Sequence, residues 1–214
     1  GARVTVYELE KRVMPTALDE TGAGLLAERI RAHGVELAVG VQTEGFEAAA
    51  HGQAVRVLAR DRGPLEVDLV IVGTGVRPNV ELLEGAAVTV TRGIPVDRYL
   101  RTSAEGIFAA GDVAAGPTVF GEEHEIHALW STAVEHGRLV GANLAGRSEA
   151  YAGSLNMNVT EMFGLTVASM GRFEDPARPE DLKRIDAAEP RYLRLCFECG
   201  LPVGAVAVGP AELA

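Results

Sequence analysis

The apolar run IFAAGDVAA, residues 107–115, is interrupted by Gly111 and Asp112. A glycine lets the backbone come close to another group, and an ionised carboxylate is a stronger hydrogen-bond acceptor than a neutral oxygen. Aspartate after a strand is also a common turn or cap residue, and on residue chemistry alone that reading of Asp112 is favoured. A second acid, Glu8, closes the β-branched run ARVTVYE. Cys196 and Cys199 form a CxxC pair. A redox pair of this kind normally opens a helix, whose dipole lowers the thiol pKa, whereas LRLCFECGLPVG reads as strand and turn. A zinc site needs two more ligands at close spacing, and none is nearby. If Leu193, Leu195 and Phe197 alternate inward, Cys196 is expected on the opposite face and Cys199 at the turn. His124 and His127 could move protons, but no fixed partner is visible, so a solvent-facing or structural role is the expectation.

A phosphate-cradling turn would need a Gly-rich link from strand to helix. GAGLLA at 22–27 has the spacing GxGxxA but follows MPTALDET inside a helical pattern, so helix packing is expected. GTGVRP at 73–78 follows an apolar run, yet Pro78 forbids a regular helix immediately afterwards.

The elements that would position these residues can be read from periodicity. Residues 2–8 read as a strand. Leu18, Leu25, Leu26 and Ile30 recur at helical spacing up to Gly34. Residues 35–41, 45–50 and 54–60 read as short strands of a small antiparallel meander, with turns at His51–Gln53 and in DRGP. VDLVIVGTG reads as a parallel strand buried on both faces. Short strands are expected in 93–100 and 106–110, and an amphipathic helix over 129–144 ending at Gly146. Beyond it the texture changes to short apolar runs, a charged stretch and a hairpin turning near CGLP, read as a small α+β unit.

Of 214 residues, 47% are apolar, enough for a core, and 20 Lys plus Arg against 30 Asp plus Glu leave no basic face for a polyanion, so nucleic acid is not an expected partner. No apolar stretch approaches the roughly 20 residues of a membrane helix. With two cysteines and an opening, GARVTVYE, without signal-peptide character, the expectation is a cytoplasmic protein without membrane insertion.

GTGVRPN at 73–79, GIPVD at 93–97, Thr102–Ser103, IFAAGDVA at 107–114, and the helix bearing Trp130, Ala133, Gly137 and Asn143 resemble the pyridine nucleotide-disulfide oxidoreductase superfamily. YAGSLNMNVTEMFGL at 151–165 narrows the resemblance to NAD(P)/FAD-dependent oxidoreductases similar to nitrite reductase large subunits, rubredoxin reductases and the flavin subunit of phenylglyoxylate dehydrogenase. The implied fold class is α/β: truncated Rossmann-like FAD/NAD(P)-binding domains plus a small α+β C-terminal domain. The implied division is an NAD-binding domain lacking its first βα unit over 1–72, the second half of the FAD-binding domain over 73–150, and a C-terminal interface domain over 151–214. The sequence is therefore read as the C-terminal portion of a longer enzyme, and alone it is not expected to turn over or to hold FAD tightly.

The resemblance implies FAD and NAD as cofactors, with hydride passing from NADH to flavin and electrons onward to an unknown small-molecule or redox-protein acceptor. Asp112 would accept hydrogen bonds from the ribityl hydroxyls of FAD, with Gly111 and Val113 beside it. The backbone at Leu129 and Trp130 would face the flavin pyrimidine ring with the positive end of the helix dipole. Glu8 would bind the adenosine ribose of NADH and disfavour NADPH, a selectivity that Lys11 and Arg12 could soften. Gly73 and Gly75 would let the nicotinamide end approach the chain. No catalytic side chain is assigned. The alternative is an electron-transfer or assembly subunit without independent turnover. A homodimer through the C-terminal domain is the expected assembly.

Overall fold

The computed structural model describes residues 1–49, 54–173, 176–186 and 190–210, and the turn expected at His51–Gln53 lies outside them. Residues 1–73 and 157–214 form one compact unit, and residues 74–156 form another.

In the first unit, β1 (Thr5–Glu8) leads through a loop to α1 (Glu20–Ala32) and then β2 (Glu36–Val39), which pairs parallel with β1. This is a βαβ crossover, so the first of the three expected meander strands joins β1 instead. The meander is β3 (Thr43–Ala48), β4 (Val55–Ala59) and β5 (Leu65–Val67), antiparallel throughout. Asp19 starts α1, its Oδ1 accepting from the Gly22 amide at 3.0 Å. Glu20 in the first turn and Arg29 and Arg31 in the last complement the helix dipole, and Gly34 leaves the helix at φ +78°.

Ala23, Leu26 and Ile30 line one face of α1. They pack with Val13, Leu18 and Leu37 against Leu165, Val167, Tyr192, Val206 and Val208 of the C-terminal strands. Those strands are β9 (Met157–Met162), β10 (Leu165–Gly171), β11 (Leu182–Asp186), β12 (Arg191–Glu198) and β13 (Leu201–Gly209), antiparallel in the order β11-β12-β13-β10-β9. The C-terminal segment thus supplies the β part of the expected α+β unit, and the helix on it is α1. Gly22, from the GAGLLA stretch, sits where a Cβ would lie 3.3 Å from Val208, a packing role rather than a phosphate cradle.

The inward face of β12 carries Tyr192, Arg194 and Cys196, all buried, while Leu195 is exposed. This reverses the expected alternation. A reading that points the leucines inward fails because Arg194 is fully paired inside, by Asp19 (Nη1 to Oδ2, 2.9 Å) and Asp181 (Nη2 to Oδ2, 2.7 Å). Tyr192 also donates to Asp19. Both thiols are free, and Cys199 lies at the β12–β13 turn with φ +51° as expected.

The second unit holds β6 (Ile94–Pro95), β7 (Ala114–Thr118), β8 (Gly121–Glu125) and α2 (Trp130–Leu144). β6 pairs parallel with β7, and β7 antiparallel with β8. Val88, Ile94, Val96, Leu100, Ala109, Ala114, Leu139 and Tyr151 form its core. Asn143 closes the end of α2 on the following loop, its Nδ2 donating to the Tyr99 and Glu149 carbonyls (3.1 and 3.0 Å) and its Oδ1 accepting from the Glu149 amide (2.8 Å).

Two expected strands are not built. Residues 68–80 carry no ladder, and Leu69, Ile71, Val72 and Val76 are 63–85% exposed. The apolar run before Gly111 makes only the isolated bridge Arg101–Phe108. Composition supplies the apolar side chains, but a sheet strand also needs a neighbour for its backbone, and no described segment pairs with either run as a ladder.

Candidate functional site

Gly111 adopts φ +71°, and Gly111–Val113 forms a single 3₁₀ turn between the extended Ala110 and β7. The turn lies on the first turn of α2: a Cβ on Gly111 would be 3.5 Å from that of Ala133. Glycine is favoured here by the left-handed backbone, and the approach to Ala133 is an ordinary van der Waals contact. Asp112 is exposed and Val113 half-buried.

Leu129 caps α2 with extended backbone and no side-chain hydrogen bond, and the first turn holds no acid. The first intrahelical bond runs from the Ala133 amide to the Leu129 carbonyl at 2.9 Å. The amides of Trp130, Ser131 and Thr132 therefore have no side-chain cap, at the positive end of a 15-residue helix. Trp130 is 83% exposed, so its ring is not a core residue. A projecting carboxylate and an uncapped helix N-terminus stand side by side, an acceptor for hydroxyls next to a donor set for developing negative charge. The residues fit FAD in the roles the resemblance assigns to Gly111, Asp112, Val113, Leu129 and Trp130.

His127 has the fixed partners that the sequence did not reveal. Nδ1 lies 2.6 Å from Ser154 Oγ and Nε2 lies 2.9 Å from Glu125, with the ring nearly buried. It clips the end of β8 to the segment after α2. His124 is exposed.

Sequence reasoning missed His136. It is buried on α2 four residues after Thr132 and three before Leu139, a helical spacing that marks an inward face. Its Nδ1 accepts from the Gly111 amide at 3.2 Å, and its ring meets Tyr151 edge-on, centroids 4.6 Å apart at 84°. Burial lowers its pKa below the ordinary imidazole value, with the charge of His127 adding to the effect. Burial also raises the Tyr151 phenol, helped by Glu135 and opposed by hydrogen bonds with Ser154 and Thr132.

Of the remaining candidates, Gly75 belongs to the second unit. Glu8 and Gly73 belong to the first unit. Glu8 ends β1, and its Oε1 accepts from the Glu10 amide at 2.9 Å. Arg12 is directed to the Leu18 and Pro15 carbonyls, and Lys11 is exposed. Gly75 has φ +85°, and a side chain at Gly73 or Gly75 would meet nothing within 4 Å. Among the described residues no three His, Cys, Asp or Glu side chains gather to hold a metal, and no helix is long and apolar enough to cross a membrane.

Residues 157–214 match the model of the rubredoxin NAD+ reductase C-terminal domain. The chain is 29% identical over 205 residues to the NADH-dependent phenylglyoxylate dehydrogenase subunit epsilon of Aromatoleum evansii, covering 95% of this chain and 48% of that protein. It is 34% identical over 188 residues to the ferredoxin–NAD(+) reductase component of the anthranilate 1,2-dioxygenase system of Burkholderia cepacia, covering 83% and 45%. Among solved structures, the water-forming NADH oxidase of Lactobacillus brevis bound to NADH superposes with a TM-score of 0.86 at 28% identity, covering all of this chain and 51% of that one. The chain spans about half the length of the relatives it matches. Residues 1–137, well over half the chain, match the model of the pyridine nucleotide-disulphide oxidoreductases, and the chain belongs to that family.

Proposed function

We propose that this chain is part of an FAD-dependent NADH oxidoreductase in which hydride passes from nicotinamide to flavin and electrons pass on to a redox protein or small molecule. The observation that carries the reading is the exposed Asp112 on a 3₁₀ turn packed against the uncapped first turn of α2. Members of the family are FAD- and NAD(H)-dependent, and the bound flavin supplies the hydride and electron chemistry. The chain's own residues bind and orient. Asp112 accepts from ribityl hydroxyls, Gly111 and Val113 hold the turn, and the amides around Leu129 and Trp130 favour negative charge on the pyrimidine side of the ring. Glu8 retains a second oxygen for a ribose hydroxyl, which favours NADH over NADPH. Gly73 and Gly75 leave room for the nicotinamide end. In this reading residues 1–72 serve NAD, 73–150 serve FAD and 151–214 serve the interface.

Asp112→Ala in the full-length gene product tests the assignment. The loss of a charge-assisted acceptor is expected to weaken FAD binding about 10- to 100-fold, read as flavin absorbance retained after desalting. Unchanged occupancy would remove the ribityl role.

The likeness to a protein named as a dehydrogenase subunit favours a second reading, an electron-transfer subunit of a larger complex. Copurification with that complex, with no turnover of NADH by the separated subunit, would select it. A cytoplasmic location belongs to the same proposal and is supported by the two free thiols.

Homodimerisation through the C-terminal sheet is also proposed. On the sheet face away from α1, cross-strand register places Met157 and Val159 beside Met170 and Ala168, and Leu182 beside Leu195. Met157, Val159, Met170, Leu182 and Leu195 are 37–63% exposed, and exposed apolar side chains gathered on one sheet face support an interface there. Val159→Glu is expected to raise the dimer dissociation constant at least about tenfold, measured by sedimentation. An unchanged constant would place the contact elsewhere.

A further inference from the structure

The Gly111 amide is the first donor of the turn that presents Asp112, and it is bonded to a side chain rather than to the backbone. That side chain, His136, is 25 residues away on α2 and 2% exposed. A ring nitrogen that accepts from an N–H carries no proton, so the arrangement requires the neutral imidazole with its hydrogen on Nε2. Nε2 has no partner among the described residues. It lies 4.0 Å from where a Cβ on Gly116 would be, so the ring also rests on β7, while its edge contact with Tyr151 fixes another side. An orphaned buried N–H is costly, and this ring bears that cost while its other nitrogen pins Gly111.

We infer that His136 is a positioning residue whose neutral Nδ1 fixes the Gly111–Asp112 turn against the first turn of α2, and so sets the aim of Asp112 at the flavin ribityl chain. The inference rests on the proposed FAD function for its purpose, but not for the tautomer or the hydrogen bond. Without the bond, a glycine at φ +71° has ample freedom to reorient, and Asp112 moves with it. Protonation has the same effect as deletion. An imidazolium presents N–H at both nitrogens, so Nδ1–H would face the Gly111 N–H and the turn would be released.

The titratable groups that bear on the ring are His127, ahead of α2, and Tyr151, behind it, with Glu135 acting on the phenol. Burial and His127 both resist protonation, which keeps the ring neutral around pH 7. The turn is therefore held at neutral pH and lost as pH falls through the depressed value, which lies below the ordinary imidazole value of about 6.5.

The test has three readouts. In this chain without cofactor, the imidazole nitrogen shifts of His136 should report Nδ1 unprotonated and Nε2 protonated at neutral pH, and the reverse tautomer would overturn the inference without any substitution. His136→Phe keeps the ring volume and removes the acceptor, and should speed exchange of the Gly111 amide about tenfold. His136→Asn, whose Oδ1 stands close to the place of Nδ1 and cannot protonate, should restore slow exchange. In the full-length gene product, FAD binding should weaken about tenfold in the Phe variant. It should fall with acid in the wild type and lose that dependence between about pH 8 and 5 in the Asn variant. Wild-type exchange at Gly111 in the Phe variant would overturn the inference. If Asp112→Ala sheds flavin while His136→Phe does not, the positioning role fails and the FAD reading stands. If Asp112→Ala keeps its flavin, the FAD reading fails while the tautomer and exchange results still decide the role of His136 in the turn.

Discussion

Arg194→Leu is expected to destabilise the first unit by about 3–5 kcal/mol, because it leaves two carboxylates without their buried counter-charge. The guanidinium is fully enclosed and spans Asp19, the N-cap of α1, and Asp181, just before β11. Asp19 also accepts from Tyr192 and from the Gly22 amide, and Asp181 from the Phe197 and Arg178 amides at 3.1 and 3.0 Å. One side chain thus ties the start of a helix near residue 20 to strands after residue 180, and a loss of this size is a large share of the roughly 5–15 kcal/mol that holds a domain. Denaturant midpoints measure it, and a loss under about 1 kcal/mol would show that the carboxylates find other partners.

The pH dependence has a definite sign. Burial would raise the Asp181 carboxyl, but hydrogen bonds from Arg194 and from the Phe197 and Arg178 amides outweigh it and hold the group below the ordinary value. The stability so gained is present above about pH 4 and is lost as pH falls through the depressed value. In Arg194→Leu the carboxyl keeps the burial penalty without its main counter-charge, so the difference from wild type should shrink as the solution is acidified.

Gly171→Ala is expected to cost about 2 kcal/mol or more, for two separable reasons. The residue has φ +65°, and a Cβ would stand 2.1 Å from the Val203 carbonyl oxygen, the same oxygen that accepts from the Arg172 amide at 2.9 Å. Its register partner is Gly204, where a Cβ would stand 2.0 Å from the Arg172 carbonyl oxygen. The two backbones meet with no room between them, and neither can retreat without breaking β10 from β13. Gly164→Ala is the control, with φ +73° but only the guanidinium end of the long Arg29 side chain at 3.4 Å. It should cost only the left-handed term, about 1 kcal/mol. Equal losses at the two positions, by thermal or denaturant unfolding, would remove the steric argument.

What the sequence revealed was whatever is decided within a few residues. Leu26 and Ile30 at helical spacing located α1, and its end at Gly34 follows from a left-handed position. The hairpin turn expected near CGLP falls at Cys199–Gly200, where both residues have positive φ, as tight hairpins of this hand require. What it concealed depends on distant partners. The inward face of β12 was misread because Arg194 finds its carboxylates 175 and 13 residues away, and no local pattern announces that. His127 looked partnerless because Ser154 arrives from beyond α2. His136 drew no attention because a histidine on an apolar helix face is ordinary until the residue bonded to it is known to be Gly111. The site motif itself was legible through its resemblance to a family, whereas the strand expected before it was not realised, since pairing is a property of two segments and composition describes one.

The unladdered stretch beginning at Leu69 has a practical consequence. A ribbon with Leu69, Ile71 and Val72 turned to water and no sheet around it is a template for any strand of compatible pattern. Handled by itself, this polypeptide should remain dispersed only when dilute, and its shelf life in concentrated stock should lengthen when a complementary peptide or a mild solubilising agent shields that ribbon.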